Sequence, residues 1–177
     1  MDTFIFVQAR QGSTRFRNKV LNKTNGTELI KIQYKRLLKV KSKKKIVFLI
    51  PKTKNQKLKR FLISNKIKFF EGKENDVLSR YYEAAKKFKA KKIIRLTGDC
   101  PLIDHRLLDR LIRFFNSSKF SYVSNIIKRS FPHGMDMEML CQLACDALKT
   151  TYDEYSVDEL IAEVEEYYPH LLEESEV

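Results

Sequence analysis

FIFVQARQGSTRFRNKVL, Phe4 to Leu21, is the stretch whose reading decides the fold. Phe4-Ile5-Phe6-Val7 is an apolar run short enough for a buried strand. The run breaks at Gly12-Ser13-Thr14 into a loop that carries Arg10, Arg15, Arg17 and Lys19 within ten positions. A buried strand that runs into a small-residue loop with cations is how α/β proteins hold polyphosphate. Gly12 lets the backbone approach an anion, Ser13 and Thr14 offer hydroxyls and N–H groups, and the cations neutralise phosphate charge. In so basic a chain the plainer alternative is a solvated turn. The order (strand, glycine, hydroxyls, cations) at the carboxyl end of a first strand argues for a ligand site, because open α/β sheets bind ligands there. With one glycine, the loop is neither a Walker loop nor a GxGxxG turn.

Working outward, Glu28 to Val40 carries Leu29, Ile32, Leu37 and Val40 near helical spacing. Ile46 to Ile50 reads as a second buried strand ended by Pro51, Leu58 to Ile63 as a short basic helix, and Ile67 to Phe70 as a third strand before a Glu71-Gly72 turn. Asp76 stands where a helix cap belongs, ahead of Val77, Leu78, Tyr81, Ala84, Ala85 and Phe88. Ile93 to Leu96 is another strand, followed by a helix from about Asp104 to Phe115. Phe120 to Asn125 and Met135 to Leu140 read as later strands, separated by a turn at Phe131-Pro132-His133-Gly134. Cys141 to Thr150 and Tyr155 to Tyr168 read as helices. Strands that alternate with helices in this way predict an α/β fold: a three-layer, Rossmann-like unit with a mostly parallel sheet and right-handed crossovers.

The 177 residues, 43% of them hydrophobic, suit one domain with a real core. No apolar run approaches the ~20 residues of a membrane span. No basic segment precedes the first apolar run, so no signal peptide is expected and the cytoplasm is the default location. Cys100, Cys141 and Cys145 form no CxxC pair and the three histidines lie far apart, which speaks against zinc. Cys141 and Cys145 could share a helix face as two buried thiols. The net charge of +13 is uneven: all 35 Lys and Arg and only 12 acidic residues precede position 151, while 151–177 hold 10 acidic residues and no Lys or Arg. That division sets a body at 1–150 apart from an acidic helical tail at 151–177, expected to pack on the body or on a partner subunit. A basic body attracts polyanions. Lysines without interleaved aromatics are weak grounds for single-strand binding, so nucleic acid ranks last among the partners.

The second place for chemistry is Thr97-Gly98-Asp99-Cys100-Pro101-Leu102-Ile103-Asp104. Asp99 directly follows a buried strand and so lies at the same sheet edge as the basic loop. Mg²⁺ takes hard oxygen ligands, usually one or two carboxylates plus phosphates and water. Asp99 is therefore placed to carry a metal that faces a nucleotide held by Arg10, Arg15 and Lys19, with a capping role in a turn as the alternative. Asp104 reads as a helix cap.

Together, ARQGSTRFRNKVL and RLTGDCPLID resemble the cytidylyltransferase family related to spore coat polysaccharide biosynthesis protein F, relatives of the enzymes that make CMP-activated Kdo and sialic acids. Gln8 to Arg15 and Lys19 to Leu21 match its Q-A-R-x-G-S-T-R and K-V-L elements, and Thr97 to Asp104 match T-G-D-C-P-L-I-D. Phe69 to Ala85 and Phe131 to Met139 resemble two further family segments. The resemblance implies a nucleotidyltransferase fold of the glycosyltransferase-A kind. The implied reaction takes CTP and a sugar acid to a CMP-sugar and pyrophosphate with Mg²⁺, in surface polysaccharide biosynthesis. By position, Arg10, Arg15 and Lys19 would hold the triphosphate, with Ala9, Gly12, Ser13, Thr97 and Gly98 lining the nucleotide site. Asp99 would ligate the metal, Asp76 and Arg80 would sit near the nucleotide, and Gly134 and Asp136 near the sugar. Ser156 to Leu160 faintly echoes a segment that carries a second metal ligand, which would be Asp158, although an N-cap is the plainer role. A second copy of the chain is a candidate partner. Ile50-Pro51-Lys52-Thr53 departs from the smaller residues that relatives place by the base. Another base preference, a nucleotide-sugar-using glycosyltransferase and a truncated non-catalytic relative stay open as alternatives.

Overall fold

The computed structural model describes residues 3–12, 18–126, 131–142 and 144. Its centre is strand β1 (Thr3–Gln8), which pairs in parallel with β4 (Lys45–Pro51) on one side and β6 (Lys92–Thr97) on the other. Beyond β4 lies β5 (Phe69–Gly72), also parallel. Beyond β6 lie β8 (Glu138–Cys141) and β7 (Tyr122–Ser124), both antiparallel to their neighbours. The order is β5-β4-β1-β6-β8-β7. A separate two-residue hairpin, β2 (Lys23–Thr24) with β3 (Thr27–Glu28), follows the first loop. It escaped the sequence reading because two-residue strands carry no periodicity.

Both faces of β1 are covered, which explains an unbroken apolar run where a half-solvated strand would alternate. Ile5 and Val7 pack under α1 (Leu29–Leu38), α2 (Gln56–Ser64) and α4 (His105–Ser117). Phe4 and Phe6 pack on the other side, against Tyr81 and Phe88 of α3 (Val77–Phe88). The helices present the matching stripes: Leu108, Leu111, Ile112 and Phe115 recur at helical spacing on the buried side of α4. Side chains of this size contribute roughly 1.5–3 kcal/mol each when fully buried, so these two layers are the main source of stability.

The fold class is thus as expected, with mostly parallel strands flanked by helices, and several boundaries differ. Glu71-Gly72 is the end of β5 and not a turn, because Pro51 still pairs with Gly72 across the ladder. The later strands are shorter than expected, at Tyr122–Ser124 and Glu138–Cys141. Cys141 ends β8, so a shared helix face with Cys145 does not begin there. Ser13, Arg15, Cys145, Asp158 and the whole acidic stretch 151–177 lie outside the described residues, as does most of the helix expected over 141–150. Among the described residues no helix is long and apolar enough to cross a membrane.

β1 passes through α1 to β4 on one side, whereas β6 is reached on the other side through α3 on the opposite face. Connections that leave a strand pair in opposite directions open a crevice at the carboxyl ends, where α/β sheets take their ligands. At the β1–β6 crevice, residues 9–12 follow β1 and residues 98–104 follow β6.

Candidate active site

The two loops are joined at their roots. Gly98 N donates to Gln8 O at 2.7 Å, closing the end of β6 onto the end of β1. No larger residue fits: a Cβ at position 98 would come within 2.9 Å of Ala9 Cβ and 3.1 Å of Gln8 O. Asn18, in a left-handed conformation, donates its N–H to Gln11 O at 3.3 Å, so the two ends of the basic loop are held together. The turn Lys19–Leu21 then starts with Lys19 aimed back at the crevice.

Lys19 Nζ lies 3.1 Å from Asp99 Oδ2, linking positions eighty residues apart. Both side chains are nearly half exposed, at 44% and 46%, so the pair faces solvent at the sheet edge and is not locked in the core. Burial pushes the Asp99 carboxyl up, but the Thr97 hydroxyl and the Lys19 ammonium outweigh it and hold Asp99 below the usual carboxylate value. Asp99 is therefore an anion at neutral pH. As a half-exposed carboxylate beside a lysine at the sheet edge, it suits a divalent ion that keeps most of its shell as water and phosphate. Among the described residues no three His, Cys, Asp or Glu side chains gather into a protein-only metal cage.

At the end of β1, Ala9 is buried against Gly98 and Arg10 is exposed. Gly12 is open, with no atom of the described residues within 4 Å of where a Cβ would stand. Asp76 caps α3 by accepting from Ser79 N at 2.7 Å. Arg80 is not a surface cation: it is 1% exposed, and its Nη2 donates to Glu74 O at 3.3 Å. Its Nε and Nη1 have no hydrogen-bond partner among the described residues. Burial pulls its pKa below the ordinary arginine value, and nearby Arg10 pulls the same way. Asp104 caps α4 through Arg106 N and Leu107 N, as expected.

On the third side, Gly134 takes a positive φ of 91°, a conformation that favours glycine, and the turn closes with Met135 N donating to Pro132 O at 3.2 Å. Asn125 pins the strand that follows by accepting from Met137 N and donating to Met135 O, both at 2.9 Å. Asp136 is thereby held near Cys100, whose thiol burial pushes above its usual pKa, with Asp99 and Asp136 adding to the rise. A cavity of about 230 Å³ opens next to this segment, lined by Asp104, Arg106, Leu107, Arg110, Phe131 and Met135. A larger one, about 340 Å³, lies away from Asp99 between the β2–β3 hairpin and α1.

Three polar residues at this edge had escaped the sequence reading. Asn55, 4% exposed, accepts from Gln11 N at 2.7 Å, and Gln11 Oε1 in turn accepts from Lys57 N and Leu58 N at the start of α2. Gln33 on α1 reaches the loop that carries Asp99. Asn55 and Gln33 belong to no motif and Gln11 stands at the variable position of Q-A-R-x-G-S-T-R; the one signal was a glutamine among the apolar positions of α1.

The cytidylyltransferase family model matches residues 4–157. This chain belongs to the cytidylyltransferase family. Among curated proteins it is 36% identical over 124 residues to uncharacterized protein MJ1063 of Methanocaldococcus jannaschii, covering 68% of this chain and 51% of that one. It is 32% identical over 131 residues to spore coat polysaccharide biosynthesis protein SpsF of Bacillus subtilis, covering 70% and 55%. The chain thus spans about half the length of these curated relatives. Among solved structures, a cytidylyltransferase from Leptospira borgpetersenii superposes with a TM-score of 0.78 at 32% identity, over 84% of this chain and 63% of that one. A CMP-2-keto-3-deoxy-manno-octonic acid synthetase complexed with CTP superposes at 0.70 with 16% identity, over 94% and 84%, a likeness of fold. The residues that the family model matches include both loops of the β1–β6 crevice.

Proposed function

We propose that this cytidylyltransferase transfers CMP from CTP to a sugar acid of the Kdo or sialic acid class and releases pyrophosphate, with a divalent cation, Mg²⁺ by preference, at Asp99. The observation that carries the reading is the 3.1 Å approach of Lys19 to Asp99 at the β1–β6 crevice. A cation for phosphate oxygens and a carboxylate for a metal are what a nucleoside triphosphate requires at one point.

In this reading Lys19 and Arg10 take the triphosphate, and Ser13, Arg15 and the Gly12 backbone complete the loop. Asp76 and Arg80 lie behind the nucleoside. Gly134 and Asp136 border the acceptor, whose carboxylate suits Arg106 and Arg110 at the adjoining cavity. A hydroxyl oxygen of the sugar attacks the α-phosphorus, the bond from that phosphorus to its bridging oxygen breaks, and pyrophosphate leaves with the electron pair; the hydroxyl proton passes to solvent. Charge grows on phosphate oxygens along this path, and fixed cations that meet it there lower the barrier. A bound metal would add charge neutralisation on the same oxygens and orient the leaving group. The proposed setting is the cytoplasm and surface polysaccharide biosynthesis, the process named for the Bacillus subtilis relative.

The test is pyrophosphate release from CTP across a panel of sugar acids with Mg²⁺, with UTP and GTP as controls for the base. Wild type is expected to turn over CTP with at least one acceptor, and Asp99→Asn to lose about a hundredfold or more in rate. CTP binding that is absent, or activity indifferent to Asp99→Asn, would remove the reading.

A further inference from the structure

We propose that Gln33 and Arg36 of α1 are positioning residues for Asp99, holding its loop where the carboxylate meets Lys19. The inference rests on the nucleotidyl-transfer reading above and extends it to two residues that reading does not use.

Gln33 is fully buried. Its Nε2 donates to Thr97 O at 2.8 Å and to Cys100 O at 3.1 Å, the carbonyls that bracket Gly98 and Asp99. One turn along the helix, Arg36 Nε donates to Ile103 O at 2.8 Å. Three carbonyls of a single loop are therefore held by two side chains of one helix. The loop's own bonds, Cys100 N to Thr97 O and Ile103 N to Cys100 O, are both longer, at 3.3 Å. A turn held only by such bonds has neighbouring conformations of similar energy. Side-chain donors that fit one arrangement of the carbonyls remove the others.

Packing alone does not account for an amide at this position. Ile30 and Leu37, on the same buried side of α1, are apolar. Gln33 Oε1 is buried with no hydrogen-bond partner among the described residues, a cost that a space-filling residue would not carry. The amide is there for its two N–H groups, and both go to the loop of Asp99.

The same helix is tied to the other half of the site. Leu29 N donates to Asn22 O at 2.9 Å, and Asn22 N to Lys19 O at 3.2 Å, so the start of α1 anchors the turn that carries Lys19. The helix thus holds the cation's turn at one end and the carboxylate's loop one turn further on. The spacing between Lys19 and Asp99 becomes a property of a rigid helix and not of two independent loops.

The test compares the full chain with Gln33→Leu, Arg36→Leu and Arg36→Lys. Thermal melting reports folding, CTP binding without metal reports the phosphate cations, and the free Mn²⁺ signal in electron paramagnetic resonance reports metal affinity in the presence of CTP. Gln33→Leu and Arg36→Leu are expected to bind CTP alone within about threefold of wild type. Their Mn²⁺ affinity in the CTP complex should fall by about tenfold to a hundredfold, the usual size for residues that orient a metal ligand. The rate lost at low Mn²⁺ should return in part at high Mn²⁺, and Arg36→Lys, which keeps a donor, should recover most of the affinity. If Gln33→Leu fails to fold, half-buried Arg36 carries the same prediction alone. Variants that melt lower yet keep wild-type Mn²⁺ affinity and kcat would show a packing role and overturn the proposal. Wild-type protein that binds no CTP would remove the functional reading and the proposal with it.

Discussion

Alanine at position 98 is expected to damage stability and chemistry through one displacement. Its Cβ would stand 2.9 Å from Ala9 Cβ, 3.1 Å from Gln8 O and 3.4 Å from Ala9 Cα. All three atoms belong to the end of β1 or are bonded directly to it, so none can rotate away. Carbon atoms rest about 3.5–4.0 Å apart, so the ends of β1 and β6 must part by roughly 0.5–1 Å, against the 2.7 Å bond from Gly98 N to Gln8 O. Overpacking of this kind costs about 1–3 kcal/mol. In a chain of this size each kcal/mol lowers Tm by about 2–4 °C, so the expected loss is roughly 2–12 °C. Asp99 is the next residue and moves with the strand; a misplacement of about 1 Å can cost about a hundredfold in rate. Gly12→Ala is the control for stability, since no atom of the described residues lies within 4 Å of its Cβ and its Tm should stay within about 1 °C of wild type. Calorimetry and CTP-dependent pyrophosphate release measure the two effects on the same preparations. A Gly98→Ala protein that melts with wild type and turns over at the wild-type rate would refute the close-approach argument.

Other outcomes follow from single contacts. Lys19→Met should weaken CTP binding about tenfold or more while leaving Tm within about 1 °C, because the pair with Asp99 is exposed and such pairs add little stability; titration calorimetry and melting separate the two. Arg80→Met should melt no lower than wild type, since a buried guanidinium with two nitrogens unpartnered among the described residues is costly, while CTP affinity measured by the same titration falls. Asp76→Ala removes the cap on α3 and should cost about 1 kcal/mol in urea unfolding. Asp109 accepts from Lys41 N, Ser42 N and Ser42 Oγ at 2.7–2.9 Å; burial pushes its pKa up, but these donors hold it below the ordinary value. A carboxyl lowered in the folded state stabilises above its unfolded pKa of about 4 and loses that contribution as pH falls through the folded value. Asp109→Asn should therefore be less stable at pH 7 and show a flatter loss of stability below about pH 4, read from urea midpoints against pH.

The chain alone determined the elements and their class. Apolar runs of strand length, helical stripes such as that of α4, and caps at Asp76 and Asp104 are local features, set by side-chain periodicity and by backbone groups within one turn. Order along the chain determined that Asp99 and the basic loop leave the same sheet edge, because parallel strands send every carboxyl end one way. Tertiary structure alone decided that Lys19 and Asp99 touch, that Arg80 is sealed in the core, and that Gln33, Arg36 and Asn55 serve the site loops. These are contacts between side chains and backbone carbonyls or amides far away in sequence. A carbonyl has no residue-type signature, so its partner shows no pattern until the strands and helices have been packed.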